Sequence, residues 1–274
     1  MLEKRKPFII GMIHLPPLPG SPNNKMSLDE IVNYAITEGQ KLQEAGVDGV
    51  IVENLGDYPF FKDDIPPITI ASMSIIVREV RKNFYFDAVG VNVLRNGCID
   101  AFSIAHVTGS QFIRCNVLIG AYVTDQGIIE GKAAELLRLK RFLNSNVMIF
   151  ADIHVKHAYP LYNLPIELAA QDLAERGGAD AVIVSGPRSS IPPSVDTVKK
   201  VKSSVSLPVI IGSGISLENF KEFCKIADGL IIGEKDFKEG GTIGVGLSLR
   251  FHEFVFNLSS SFPLSGSPCR LRER

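Results

Sequence analysis

Residues able to trade protons or hold a metal recur in this chain at one kind of place, just after a short apolar run. His14 follows Phe8 to Met12, Glu53 and Asn54 follow Val50 to Val52, and Asn92 follows Ala88 to Val91. Arg114, Cys115 and Asn116 follow Phe112-Ile113, and Asp152-Ile153-His154-Val155-Lys156-His157, the densest polar cluster, follows Val147 to Phe150. On an extended chain Asp152 and His154 share a face. Both are therefore expected to point into one pocket with His14 and Glu53. Two chemistries fit those residue types. His14, Glu53, Asp152 and His154 could hold a divalent metal, the only cofactor the residues suggest, or an acid–base pair among them could move protons beside a carbonyl. The plainer alternative is that Asp152 only fixes a histidine tautomer.

A second group of residues suits an anion. Gly212-Ser213-Gly214 follows Val209 to Ile211, opens what reads as a helix at Ser216, and would let backbone N–H groups approach an oxyanion. Gly233, after Leu230 to Ile232, would complete a phosphate cup, although Glu234 beside it would repel phosphate unless Lys235 or Lys238 compensates. Ser185 ends the run Ala181 to Val184. Arg114 could grip a carboxylate or phosphate with both arms, or pair with Glu53 or Asp152. Asn54, Asn92, Arg95, Asn116, His157 and Ser185 are candidates for orienting a substrate. Lys156 is either a Schiff-base amine or a solvated lysine. Asp125, in Thr124-Asp125-Gln126-Gly127, is either catalytic or a turn former in a lid-like loop. His106 and His252 fall in helical stretches and read as structural.

Eight such runs alternating with helical segments predict an α/β protein with a single closed parallel (β/α)8 (TIM) barrel. In that fold the chemistry sits where the strands end, so the residues above are a draft active site. The strands are expected at about 8–14, 50–52, 87–93, 111–115, 147–153, 180–185, 208–212 and 228–233. Ser27 and Glu30 have capping-box spacing for the first helix. Pro165 suits the start of a later helix, and 247–258 has the apolar spacing of a closing helix. The barrel is thus expected over 1–258, with a Ser/Pro/Arg-rich tail at 259–274.

The 274 residues include 45% hydrophobic ones, 29 basic and 30 acidic side chains, which leaves no electrostatic case for nucleic acid. No run approaches the ~20 apolar residues of a membrane span. The basic N-terminus lacks a small-residue cleavage site, so a cytoplasmic protein is expected. Cys98, Cys115, Cys224 and Cys269 show no metal-ligand spacing and read as reduced thiols, with Cys115 a buried packing residue. Tyr58-Pro59-Phe60-Phe61 is either a lid or a contact in a homo-oligomer.

Several segments together resemble the BtpA/SgcQ family of TIM-barrel proteins. They are 11–22 (GMIHLPPLPGSP), 48–54 (DGVIVEN), 90–96 (GVNVLRN), 112–117 (FIRCNV), 124–131 (TDQGIIEG), 151–158 (ADIHVKHA) and 211–215 (IGSGI). The resemblance covers about 8–240 and marks His14, Glu53, Asn92, Arg95, Arg114, Asn116, Asp125, Asp152, His154, Lys156 and His157 as motif residues. It implies a relative of the ribulose-phosphate-binding barrels and so a phosphorylated small-molecule ligand, a sugar phosphate or nucleotide-like metabolite. The family is named for a role in photosystem I biogenesis, and its other branch resembles sugar-metabolism proteins; neither name carries a settled reaction. Two segments depart from the pattern expected, 185–192 and Gly233-Glu234, both on the phosphate side. Three readings follow: an isomerase, lyase or hydrolase of a phosphorylated metabolite; a metal-dependent hydrolase or lyase; and a non-catalytic assembly factor, for which peripheral association with a membrane stays open.

Overall fold

The computed structural model describes residues 7–186, 191–216 and 218–233. In chain order its strands are β1 (Phe8–His14), β2 (Gly49–Glu53), β3 (Ala88–Asn92), β4 (Phe112–Cys115), β5 (Ala121–Thr124), β6 (Gly127–Glu130), β7 (Met148–Asp152), β8 (Ala158–Pro160), β9 (Ala181–Val184), β10 (Val209–Ile211) and β11 (Gly229–Ile232). The helices are α1 (Leu28–Glu44), α2 (Pro67–Asn83), α3 (Cys98–Thr108), α4 (Ala133–Phe142), α5 (Ile166–Glu175), α6 (Val195–Ser204) and α7 (Phe220–Phe223). Eight strands pair in parallel in the closed order β1-β11-β10-β9-β7-β4-β3-β2, the expected barrel. The closing helix expected at 247–258 and the tail at 259–274 lie outside the described residues.

Strand parity separates two apolar layers. Phe8, Ile10 and Met12 on β1, with Ile51, Ala88, Phe112, Phe150, Ala181, Ile183, Ile210 and Ile231, fill the barrel interior. The alternate residues, such as Ile9, Ile13, Val50 and Val52, pack outward against the helices. The rings of Phe112 and Phe150 stack with centroids 4.4 Å apart inside the barrel. Gly90 makes room for them, since a Cβ there would lie 2.4 Å from the Phe112 ring. Each interior Phe, Ile or Met removed from water contributes about 1.5–3 kcal/mol, so this plug helps hold the strands in register.

The same parity sends one residue from each of seven strand ends into the mouth. His14 continues the face of Met12, Glu53 that of Ile51, Asn92 that of Gly90 and Arg114 that of Phe112. Asp152 continues Phe150, Ser185 follows Ile183, and Gly212 follows Ile210. Register puts His14 opposite Glu53 and Glu53 opposite Asn92.

Three features depart from expectation. The segment read as a loop from Asn116 to Glu130 forms a β5–β6 hairpin, and β8 joins it to make a three-stranded antiparallel sheet over one side of the mouth. Val117, Ile129 and Val155 are its small buried core. Ser216 does not open a helix; α7 starts at Phe220 and is four residues long. Cys98 and Cys115 form a disulfide with Cα atoms 5.2 Å apart, so the reading of both as reduced thiols is corrected. The pairing escaped notice because 17 residues separate the cysteines, and only the turn from β3 through α3 into β4 brings them together. Cys115 is indeed fully buried, as is Cys224 nearly so, while Cys269 lies outside the described residues.

Candidate active site

Two clusters occupy opposite sides of the mouth. On the β1–β3 side, the His14 Nε2 lies 3.6 Å from Glu53 Oε1, and the Asn92 amide donates to Glu53 Oε2. Glu53 and Asn92 are buried whereas His14 is only half-buried. A carboxylate oriented by an amide and facing an imidazole is an arrangement able to pass a proton to or from a bound molecule.

On the β4–β10 side Arg114 and Asp152 form a two-armed ion pair, Nε to Oδ2 at 2.9 Å and Nη2 to Oδ1 at 2.8 Å. Their side chains are 7% and 0% exposed. Asn116 Nδ2 donates to Asp152 Oδ2 at 3.1 Å, and Ser185 Oγ to Oδ1 at 3.3 Å. Burial works against the Arg114 charge, but the Asp152 carboxylate overcomes it and leaves the guanidinium above its usual range. Asp152 therefore anchors Arg114, one of the two pairings that the sequence left open for that guanidinium. Its lone pairs are engaged by four donors.

Gly212 lies directly against this pair. A Cβ there would come within 2.4 Å of Ser185 Oγ and 3.4 Å of Arg114 Nη2. The Lys156 ammonium donates to the Gly212 carbonyl at 3.4 Å. Beside it the Ser213 hydroxyl is buried with no hydrogen-bond partner among the described residues, and so is the Asn116 Oδ1. Buried polar atoms left unpaired are uncommon and call for an explanation. Arg95 spans the two sides: it is buried and donates to the Lys156 carbonyl. Burial pulls its guanidinium below the usual range, while Asp152, Asp125 and Glu53 oppose that shift.

The remaining expectations are placed as follows. The four-residue metal set is corrected: among the described residues no three His, Cys, Asp or Glu side chains converge as ligands would. Asp152 is committed to Arg114, and β7 ends there, so parity no longer carries His154 beside Asp152 into the mouth. His154 instead lines two side cavities, half-buried, and burial holds its imidazole below the ordinary value. Asn54 is a loop bolt rather than a substrate contact, since its Oδ1 accepts from Leu94 N–H at 2.7 Å and its Nδ2 donates to Asp57 at 2.9 Å. Asp125 is the exposed first residue of the β5–β6 turn. His157 is exposed with φ +55. Gly214, at φ +76, is required by the close approach of the Pro192 backbone, 2.3 Å from where a Cβ would stand. The Ser216 N–H is taken by Asn219 Oδ1 at 2.9 Å. Of the residues read as a phosphate cup, Gly212, Ser213, Gly214 and Gly233, Gly212 lies against the Arg114–Asp152 pair and Gly214 against the Pro192 backbone. Gly233 directly follows β11, and Glu234, Lys235 and Lys238 lie outside the described residues. His106 binds Ser145 Oγ at 3.1 Å, a structural contact as expected, and His252 lies outside.

Asn96 is a residue that the sequence did not single out for its role. It bridges the β3 and β4 loops, donating to the Val117 carbonyl at 3.1 Å and accepting from Val117 N–H at 2.8 Å.

The sequence pattern of the BtpA family matches residues 4–247. The chain belongs to the BtpA family. An uncharacterised protein from Methanocaldococcus jannaschii is 47% identical over 88% of this chain and 92% of its own length. The photosystem I biogenesis protein BtpA of Synechocystis is 40% identical over 90% of this chain and 86% of its own. Among solved structures, phosphoribosyl anthranilate isomerase from Thermus thermophilus has a TM-score of 0.56 at 13% identity, covering 93% of this chain and 99% of that one. KGPDC from Streptococcus mutans has 0.55 at 14% identity, covering 92% and 99%. These likenesses show the TIM-barrel fold. No helix among the described residues of this BtpA-family barrel is long and apolar enough to cross a membrane.

Proposed function

We propose that this BtpA-family protein is an enzyme acting on a phosphorylated small metabolite, a sugar phosphate or nucleotide-like compound, held at the C-terminal mouth of the barrel. One observation carries the reading: two cations, Arg114 and Lys156, meet at the bare backbone of Gly212 next to the unpartnered Ser213 hydroxyl. Such a corner offers charge and a hydrogen-bond donor to an oxyanion. The solved structures that share the fold include an N-acetylmannosamine-6-phosphate 2-epimerase, which fits a phosphorylated ligand.

Across the mouth, Glu53 and His14 supply proton transfer to the unphosphorylated end. Asn92 turns Glu53 toward His14, and Arg95 and Asn116 are placed to orient the ligand between the two clusters. Isomerisation, aldol-type cleavage and hydrolysis all need that division of labour, with one end gripped and a base at the other. The test is incubation with a panel of phosphorylated sugars in deuterated water, followed by proton NMR. Solvent deuterium or product should appear with one of them and fall at least ~100-fold in Glu53→Gln, the usual scale for losing a general base. Turnover that Glu53→Gln leaves untouched would remove Glu53 from the chemistry.

A second reading, an assembly factor, is favoured by the name of the Synechocystis relative and by one surface feature. Ile128, Val123 and Tyr159 stand in register across β6, β5 and β8 and are all exposed. That reading expects biological function to survive Glu53→Gln.

A further inference from the structure

Around the barrel α1, α2 and α3 pack side by side and α5 packs on α6, but α4 and α5 barely touch. The space between them is a cavity of about 700 Å³, bounded by the β5–β6–β8 sheet, the two helices and the 152–154 segment. Small-molecule pockets commonly hold about 300–1,000 Å³. Gly212, Ser213, Glu53 and His14 do not line the cavity, and it meets the Gly212 corner only through Asp152.

Three observations bear on what it takes. Its walls carry small residues, Gly120, Ala133, Ala134 and Ala169, which leave a slot, and Tyr122 and Tyr162 supply aromatic faces. Tyr162 is 75% and Leu161 58% exposed although both line the cavity, so large apolar surfaces stand bare at its edge. At the inner end the His154 Nδ1 is buried with no hydrogen-bond partner among the described residues. Depending on tautomer that nitrogen donates or accepts one hydrogen bond. Glu130, Asp172 and Arg176 set charges of both signs around the rim, which gives the cleft no strong preference for a charged guest.

We propose that the cleft between α4 and α5 is a ligand subsite for a flat, uncharged heteroaromatic ring, stacked on a tyrosine and hydrogen-bonded at its edge by His154. Burial favours the neutral imidazole, which suits an uncharged partner. The subsite goes beyond the phosphate reading and stands or falls without it, because its probe carries no phosphate.

The probe is benzimidazole at pH 8, followed by saturation-transfer NMR, with cyclohexanol as the non-planar control. The expected result is saturable transfer to benzimidazole alone. Ala169→Phe should abolish it by filling the slot, and so should Ala134→Phe, which sits on an exposed position of α4 where folding is not at risk. His154→Leu should weaken binding about tenfold while inorganic phosphate binding stays unchanged. No transfer to the wild-type chain would overturn the proposal, as would transfer that survives both Phe substitutions.

Discussion

Arg114 shows how a buried charge can serve the site without reacting. Its fork on Asp152 is desolvated on both partners, so removing one partner strands the other. Arg114→Ala should cost about 3–5 kcal/mol in urea-induced unfolding, the scale for breaking a buried pair. Arg114→Lys should recover only part of that, because an ammonium cannot make two parallel bonds to one carboxylate. Equal stability of wild type and Arg114→Ala would mean that the pair is not buried as described. His154 gives a prediction of opposite kind. Its folded value is depressed, so below the ordinary histidine value near 6.5 the unfolded chain binds a proton that the native chain resists. Stability should therefore fall as pH drops from about 6.5, and this share of the slope should vanish in His154→Gln. Thermal unfolding at a series of pH values checks the sign; a slope unchanged by His154→Gln would contradict it.

At the scale of elements, the disulfide ties the start of α3 to the end of β4, one residue from both Arg114 and Asn116. A crosslink spanning a comparable ~15-residue loop stabilises by about 3 kcal/mol, so Cys98→Ser should lower the urea midpoint measurably relative to the oxidised wild type. Identical midpoints would argue that the bridge is not formed in solution. The eight barrel strands were legible in the sequence because each is a short apolar run closed by a polar or glycine residue, and parity carried seven of those closing residues into the mouth. The β5–β6–β8 sheet was not legible. Its strands are three or four residues long and half exposed, too short to show alternation. The turn Thr124-Asp125-Gln126-Gly127 was the one signal, and it was read as part of a lid-like loop, with neither the hairpin nor the third strand foreseen. His154 was harder to place for a related reason: β7 stops two residues before it, so strand parity does not extend to it.

For the whole molecule, the barrel brings to one mouth groups that lie far apart in the chain, with Glu53 and His14 on one side and Arg114, Lys156, Gly212 and Ser213 on the other. The contacts between Arg114, Asp152 and Ser185 were foreseeable only as alternatives, since strand order is readable but distance is not. The central claim is that the second side binds an oxyanion. Isothermal titration with inorganic phosphate tests it most directly, on the wild type and on Lys156→Met and Ser213→Ala. The account predicts saturable binding that each substitution weakens, Lys156→Met by about tenfold or ~1.4 kcal/mol. Heats that never saturate, or an affinity that neither substitution alters, would contradict it.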